Sequence, residues 1–158
     1  MTSKLWSYLL PAILSSTLLA ATGVQAATQT ILSQSDSALL IAAGEKSANV
    51  LHAHVCVAVV DQSGMLLAFT RMDNAPPGCI DSSVLKARAA ALYRTATVKY
   101  MDRANGKEPA IATLPGIIPL GGGTPVNMGG SVVGAVGVSG TANPDEIKIS
   151  DAAAAAIK

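Results

Sequence analysis

His52-Ala53-His54-Val55-Cys56-Val57-Ala58-Val59-Val60, Asp61-Gln62-Ser63-Gly64 and Met65-Leu66-Leu67-Ala68-Phe69-Thr70-Arg71 follow one another without a gap. The first run, His52 to Val60, reads as a strand rich in β-branched residues. The tetrapeptide reads as a hairpin turn in which Gly64 is suited to positive φ. Met65 to Arg71 returns as the second strand. A strand pair of this kind needs helices to cover it, and the chain supplies them on both sides. Upstream, Ser37 to Val50 is an alanine-rich helix with Leu39, Leu40 and Ala43 on its apolar side. Downstream, Asp73 to Gly78 is a Pro- and Gly-rich loop. A second helix starts at Asp81 or just before and runs to about Tyr93, and Thr97 to Asn105 forms a shorter third. Pro115-Gly116 closes the next loop. Ile117 to Leu120 then reads as a short strand leading into Gly121-Gly122-Gly123-Thr124-Pro125. Pro125 to Asn127 is extended, Met128-Gly129-Gly130 turns, and Ser131 to Ser139 is the last strand. Asn143-Pro144-Asp145-Glu146 opens a terminal helix, with asparagine as cap, proline at the first helical position and two acids at the positive helix end. The fold class is α+β, with helices flanking an antiparallel sheet of about five strands.

The segment before this domain has a different composition. Lys4 supplies a positive start, Leu5 to Leu19 is apolar, and Val24-Gln25-Ala26 places small or branched side chains where a signal peptidase tests them. Residues 1–26 are therefore expected to be a removable export signal, cut after Ala26, and residues 27–158 a single domain. Pro11, Ser15, Ser16 and Thr17 weaken the run as a spanning helix, which needs about 20 apolar residues. Cleavage removes Lys4 from the eleven Lys and Arg and leaves ten against ten acids, so the mature domain is neutral. It also removes Trp6 and Tyr8, leaving Phe69, Tyr93 and Tyr100 as the aromatics. A neutral, aromatic-poor surface argues against nucleic acid and anionic lipid as partners. The expected location is periplasmic or extracellular. There an oxidising compartment allows a bridge between Cys56 and Cys79. Spacing alone cannot decide, and the favoured reading is two free cysteines acting as small buried hydrophobes.

Several segments, taken in order, resemble the GlcG/HbpS family of haem-binding or haem-degrading proteins. They are Ala58-Val59-Val60-Asp61 with Gly64, Arg71-Met72-Asp73-Asn74-Ala75, Lys86-Ala87-Arg88-Ala89-Ala90, and Leu114-Pro115-Gly116. Gly121-Gly122-Gly123-Thr124-Pro125-Val126 and Val133-Gly134-Ala135-Val136-Gly137-Val138-Ser139-Gly140 complete the set. The resemblance implies a profilin-like α/β/α sandwich, homo-oligomers, and haem or iron binding in some exported members. Other members are cytoplasmic and associated with small-acid metabolism, so the resemblance alone fixes no one ligand.

The residues themselves point to two candidate sites. Arg71 and Asp73 end a strand, and Lys86 and Arg88 lie in the second helix. Cations beside Gly121, Gly122 and Gly123, with free backbone N–H groups, would suit carboxylates, haem propionates among them. The competing account is a local Arg71–Asp73 pair, a solvated helix face, and glycines that mark a close backbone approach. The second candidate is the row His52-x-His54-x-Cys56. Alternate residues of a strand share a face, so these three would offer soft or borderline metal ligands, and an imidazole would serve as an axial haem ligand. The competing account places His52 in the preceding turn and Cys56 in the core. Met72, Met101, Thr113 and Tyr93 are fallback axial ligands. No nucleophile elbow and no zinc-protease helix is present, so no catalytic set stands out. Export and resemblance together point to a protein that binds haem or iron, sequesters it, or lets the haem iron drive its own breakdown. The alternatives are an enzyme or sensor holding an organic acid through Arg71, Lys86 and Arg88, and an accessory oligomer without ligand.

Overall fold

The structure is a computed structural model that describes residues 29–157. The export signal expected over residues 1–26 lies outside the described residues. The first helix, α1, spans Gln34–Val50. Ser33 and Asp36 cap it reciprocally: the Asp36 amide donates to Ser33 Oγ at 3.1 Å, and the Ser33 amide donates to the Asp36 carboxylate at 2.8 Å. Its buried stripe is Ser37, Leu40, Gly44 and Ala48, a spacing of three and four residues. Leu39, expected on the apolar side, is instead 57% exposed. At Gly44 a Cβ would lie 3.1 Å from Val57 Cγ1, so the missing side chain sets how closely α1 approaches the sheet.

Two strands follow, β1 (Cys56–Asp61) and β2 (Leu66–Arg71), paired antiparallel. The turn between them is built from local chemistry. The Asp61 carboxylate accepts from the amides of Ser63 at 2.8 Å and Met65 at 2.9 Å, and Gly64 takes φ 77°. Strand β1 starts later than expected because His52 adopts φ 52°, which breaks the extended alternation before Cys56. Helices α2 (Cys79–Leu92) and α3 (Thr97–Asn105) come next, then a 3-10 turn over Pro109–Thr113. Strands β3 (Gly123–Met128) and β4 (Ser131–Ser139) form a second hairpin, and α4 (Asn143–Ala154) ends the fold.

The sheet has four strands in the order β2-β1-β4-β3, every pair antiparallel. The fifth expected strand, Ile117 to Leu120, is irregular, and the Leu120 amide donates back to Ile118 O at 2.9 Å. Pro119 removes a ladder donor from that short run. The expected cap at Asn143 is also displaced. Ala142 holds the cap position, and the Asn143 side chain turns instead to the Gly121 carbonyl and to Glu146.

Helices α1 and α4 cover one face of the sheet and α2 the other, giving an α/β/α sandwich. The two interfaces differ in chemistry. On the first, Val57, Val59, Val136 and Val138 pack with Leu40, Ile149 and Ala153. On the second, Ala58, Val60 and Ala135 meet Ala87, Ala90 and Ala91 of α2. A Cβ on Gly137 would overlap the Ser83 carbonyl and lie 2.5 Å from the Ala87 nitrogen, so α2 rests its backbone on β4. The start of α2 is also tied covalently. Cys56 and Cys79 form a disulfide with Cα atoms 5.5 Å apart, which corrects the expectation of two free thiols. Sequence spacing could not show that the first residue of α2 packs directly over the first residue of β1.

Candidate functional site

The segment that leaves α1 and the loop that leaves β2 meet at one end of the sheet. The Met72 amide donates to Val55 O at 3.0 Å, which holds the loop after β2 beside the residues leading into β1. Between this junction and the last turns of α1 lies an open cleft of about 360 Å³, lined by Glu45, Asn49, His54, Met72 and Asp73. His54 and Asp73 are exposed, while Met72 is half-buried with its body against the main core. The cleft thus brings together an imidazole, a thioether and a carboxylate that the sequence had placed in separate candidate sites. Glu45 and Asn49 were not foreseen; they come from an α1 face that sequence pattern reads only as solvated helix. Glu45 is held in place by Thr70, whose hydroxyl donates to Glu45 Oε1 at 2.8 Å.

The expected row of His52, His54 and Cys56 does not assemble. His52 sits in the turn after α1, and the Cys56 sulfur is buried in its disulfide. Among the described residues, no group of three or more His, Cys, Asp or Glu side chains is arranged to hold a metal ion.

The cations of the other candidate site lie apart. Arg71 is exposed and donates through Nε (3.1 Å) and Nη2 (2.7 Å) to the Ala75 carbonyl, closing the loop rather than pairing with Asp73. Arg88 is exposed, on the face of α2 that passes the Gly64 turn. Lys86, two residues before it on α2 and so facing inward, is only 1% exposed. Its Nζ donates to Glu146 Oε2 at 2.7 Å and to Val138 O at 3.2 Å. Glu146 further accepts from the Gly140 amide at 2.8 Å and from Asn143 Nδ2 at 2.8 Å. Burial alone would push the Glu146 carboxyl up, but Lys86, Asn143 and the Gly140 amide together hold it below its ordinary value.

Gly121, Gly122 and Gly123 are buried around this pair. Gly122 has φ 107°, and a Cβ there would stand 2.7 Å from Val138 O and 3.4 Å from Lys86 Nζ. The glycines therefore let one backbone run close over a charged pair, and their amides are partly spoken for; Gly123 N donates to Thr97 Oγ1 at 2.9 Å. Of the fallback ligands, Tyr93 donates its hydroxyl to Pro115 O at 2.6 Å and Thr113 donates to Ala110 O at 2.8 Å. Met101 is half-buried on α3.

Comparison with known proteins agrees with this architecture. The family described as haem degrading protein HbpS-like matches residues 32–155. Protein GlcG of Escherichia coli K12 is 43% identical over 112 residues, covering 71% of this chain and 84% of its own length. The crystal structure of a double mutant of HbpS from Streptomyces reticuli superposes with a TM-score of 0.77 at 31% identity, covering 91% of this chain and 99% of that one. The crystal structure of a PduOC:heme complex superposes with a TM-score of 0.72 at 27% identity, covering 82% and 96%. With the sequence match running from the residue before α1's cap to the last turn of α4, and the same layered fold in solved relatives, the chain belongs to the HbpS-like haem-degrading protein family.

Proposed function

We propose that this chain is an exported haem-binding protein and that the cleft at His54 is where it holds the ligand. The observation that carries the reading is the exposed His54 imidazole and the half-buried Met72 at the same opening. Both are donor types that bind haem iron, and the cleft is open enough to admit the edge of a flat ring system. The haem-complexed relative and the family description support the choice of ligand. The chain's own part is to present the imidazole, to keep the thioether at a fixed depth through its packing, and to exclude water from one side of the ring. Haem iron itself supplies any oxidative chemistry with peroxide. Sequestration of haem, with breakdown left to that chemistry, is the role these residues fit. The carboxylate-holding alternative has less support, since Lys86 is buried and spends its charge on Glu146, while Arg71 and Arg88 are exposed.

The test is a hemin titration of protein purified from cells expressing the full chain. A Soret shift that saturates near stoichiometry is expected, lost in His54→Ala and kept in His52→Ala. No shift at micromolar hemin would sink the proposal.

We also infer that the chain forms homo-oligomers through β2. This edge strand exposes Leu66, Leu67 and Phe69, the turn before it exposes Met65, and α2 adds exposed Leu85 and Leu92. An edge with open backbone groups and this many apolar side chains is a surface that soluble proteins cover.

A further inference from the structure

A second cleft lies at the opposite end of the sheet, where the β1–β2 and β3–β4 turns meet the segment leaving α2. Its volume is about 580 Å³, and its walls include Gln29, Thr30, Gln62, Arg94, Gly130 and Ser131. That volume is within the range of small-molecule sites. Among the described residues that line it there is no Asp or Glu, and Arg94 is the one charged side chain. Among the described residues Arg94 takes part in no ion pair. Its backbone holds φ 50°, an uncommon conformation for a long side chain, directly after α2. The same lining includes Gln29 and Gln62, which carry amides, Thr30 and Ser131, which carry hydroxyls, and the apolar Val132 and Val133. Gly129 and Gly130 at φ 56° and 80° make the β3–β4 turn bare of side chains, which leaves that wall open.

A guanidinium in a cleft otherwise lined by neutral polar and apolar residues suits a compact oxyanion. The fork of N–H groups matches carboxylate or phosphate, and amide and hydroxyl donors satisfy the remaining lone pairs without adding charge. A polyanion would need several cations, and haem would need an imidazole, thiolate, thioether or phenolate, none of which is found among the described residues lining this cleft.

We propose that this cleft is a separate binding site for a small carboxylate- or phosphate-bearing molecule, with Arg94 as the residue that holds the anion.

The experiment follows backbone amide shifts by NMR while the full-chain product is titrated with sodium acetate or inorganic phosphate, against sodium chloride at matched ionic strength. Saturable shifts confined to Gln62, Arg94, Ser131 and their neighbours are expected, and competition between the two anions shows which group is preferred. Arg94→Gly suits the positive φ and so keeps the fold while removing the guanidinium; it should weaken binding by about tenfold or more. His54→Ala should leave this binding unchanged, which separates the site from the haem cleft. Shifts equal to those in chloride, or an Arg94→Gly protein that binds as the wild type does, would overturn the proposal.

Discussion

Lys86 carries its charge into a place almost without solvent, and the residues that compensate it come from α4 and β4. Glu146 is on α4, the Val138 carbonyl is at the end of β4, and Asn143 bridges Glu146 to the Gly121 carbonyl. Taking away one member of a buried pair leaves the other without compensation, at a cost of about 3–5 kcal/mol. Glu146→Leu should therefore lose about that much in urea unfolding. Lys86→Met should lose less, because Glu146 keeps its donors at Asn143 and Gly140. The same carboxylate gives the fold an acid limit. Its folded-state pKa lies below that of the unfolded chain, so the unfolded chain binds the proton first as pH falls. Its contribution is complete above the ordinary Glu value of about 4.3 and is lost as pH drops through the lower folded value. Denaturation midpoints measured between neutral pH and pH 3 should fall in the wild type and fall less steeply in Glu146→Gln. None of this was legible in the sequence. Lys86-Ala87-Arg88 looks like a solvated basic helix face, and the partner that internalises Lys86 lies 60 residues away.

At the scale of elements, what was legible is what local chemistry decides. The Asp61 to Gly64 hairpin could be read because its turn is built from its own carboxylate and one glycine at positive φ. The first helix could be read from alanine-rich apolar spacing, and the terminal one from the proline and two acids at its start. The strand expected over Ile117 to Leu120 failed because four residues and one proline cannot specify a neighbour to pair with. The disulfide was missed for the same kind of reason, since it depends on how α2 sits over β1. Reduction of Cys56–Cys79, which closes a loop of 23 residues, should cost about 3 kcal/mol in the chain-entropy account and lower the melting temperature measured with and without reductant. Gly137→Ala should cost about 3 kcal/mol or more, because the new methyl meets the Ser83 carbonyl and the Ala87 nitrogen, neither of which is the end of a flexible side chain. Gly129→Ala, which meets nothing within 4 Å, should cost only the strain of φ 56°.

For the whole molecule, the two ends of the sheet present different chemistry. One end carries His54, Met72 and two carboxylates, and the other carries Arg94 among neutral donors. The edge strand β2 runs between them. If copies associate through that edge, sedimentation velocity should show a species larger than the monomer for the wild type, and Phe69→Glu should shift it toward the monomer while circular dichroism stays native. A monomeric wild type across micromolar concentrations would remove the oligomer from the account. The sequence named His54, Met72 and Asp73 separately but could not join them, because their meeting depends on a backbone bond from Met72 to Val55 across the strand pair.

The layer between α2 and the sheet has a consequence for motion. Its packed side chains are mostly alanines, with Gly137 at the closest approach, and these residues have no χ rotamers to lose or to exchange. The opposite layer, built of valine, leucine and isoleucine, has χ rotamers that can exchange, more slowly than methyl rotation because these side chains are fully buried. The sandwich should therefore be dynamically lopsided. In methyl relaxation measurements the alanine methyls of α2 should report little beyond their own spinning, and the valine methyls facing α1 and α4 should report the slower exchange of the interior.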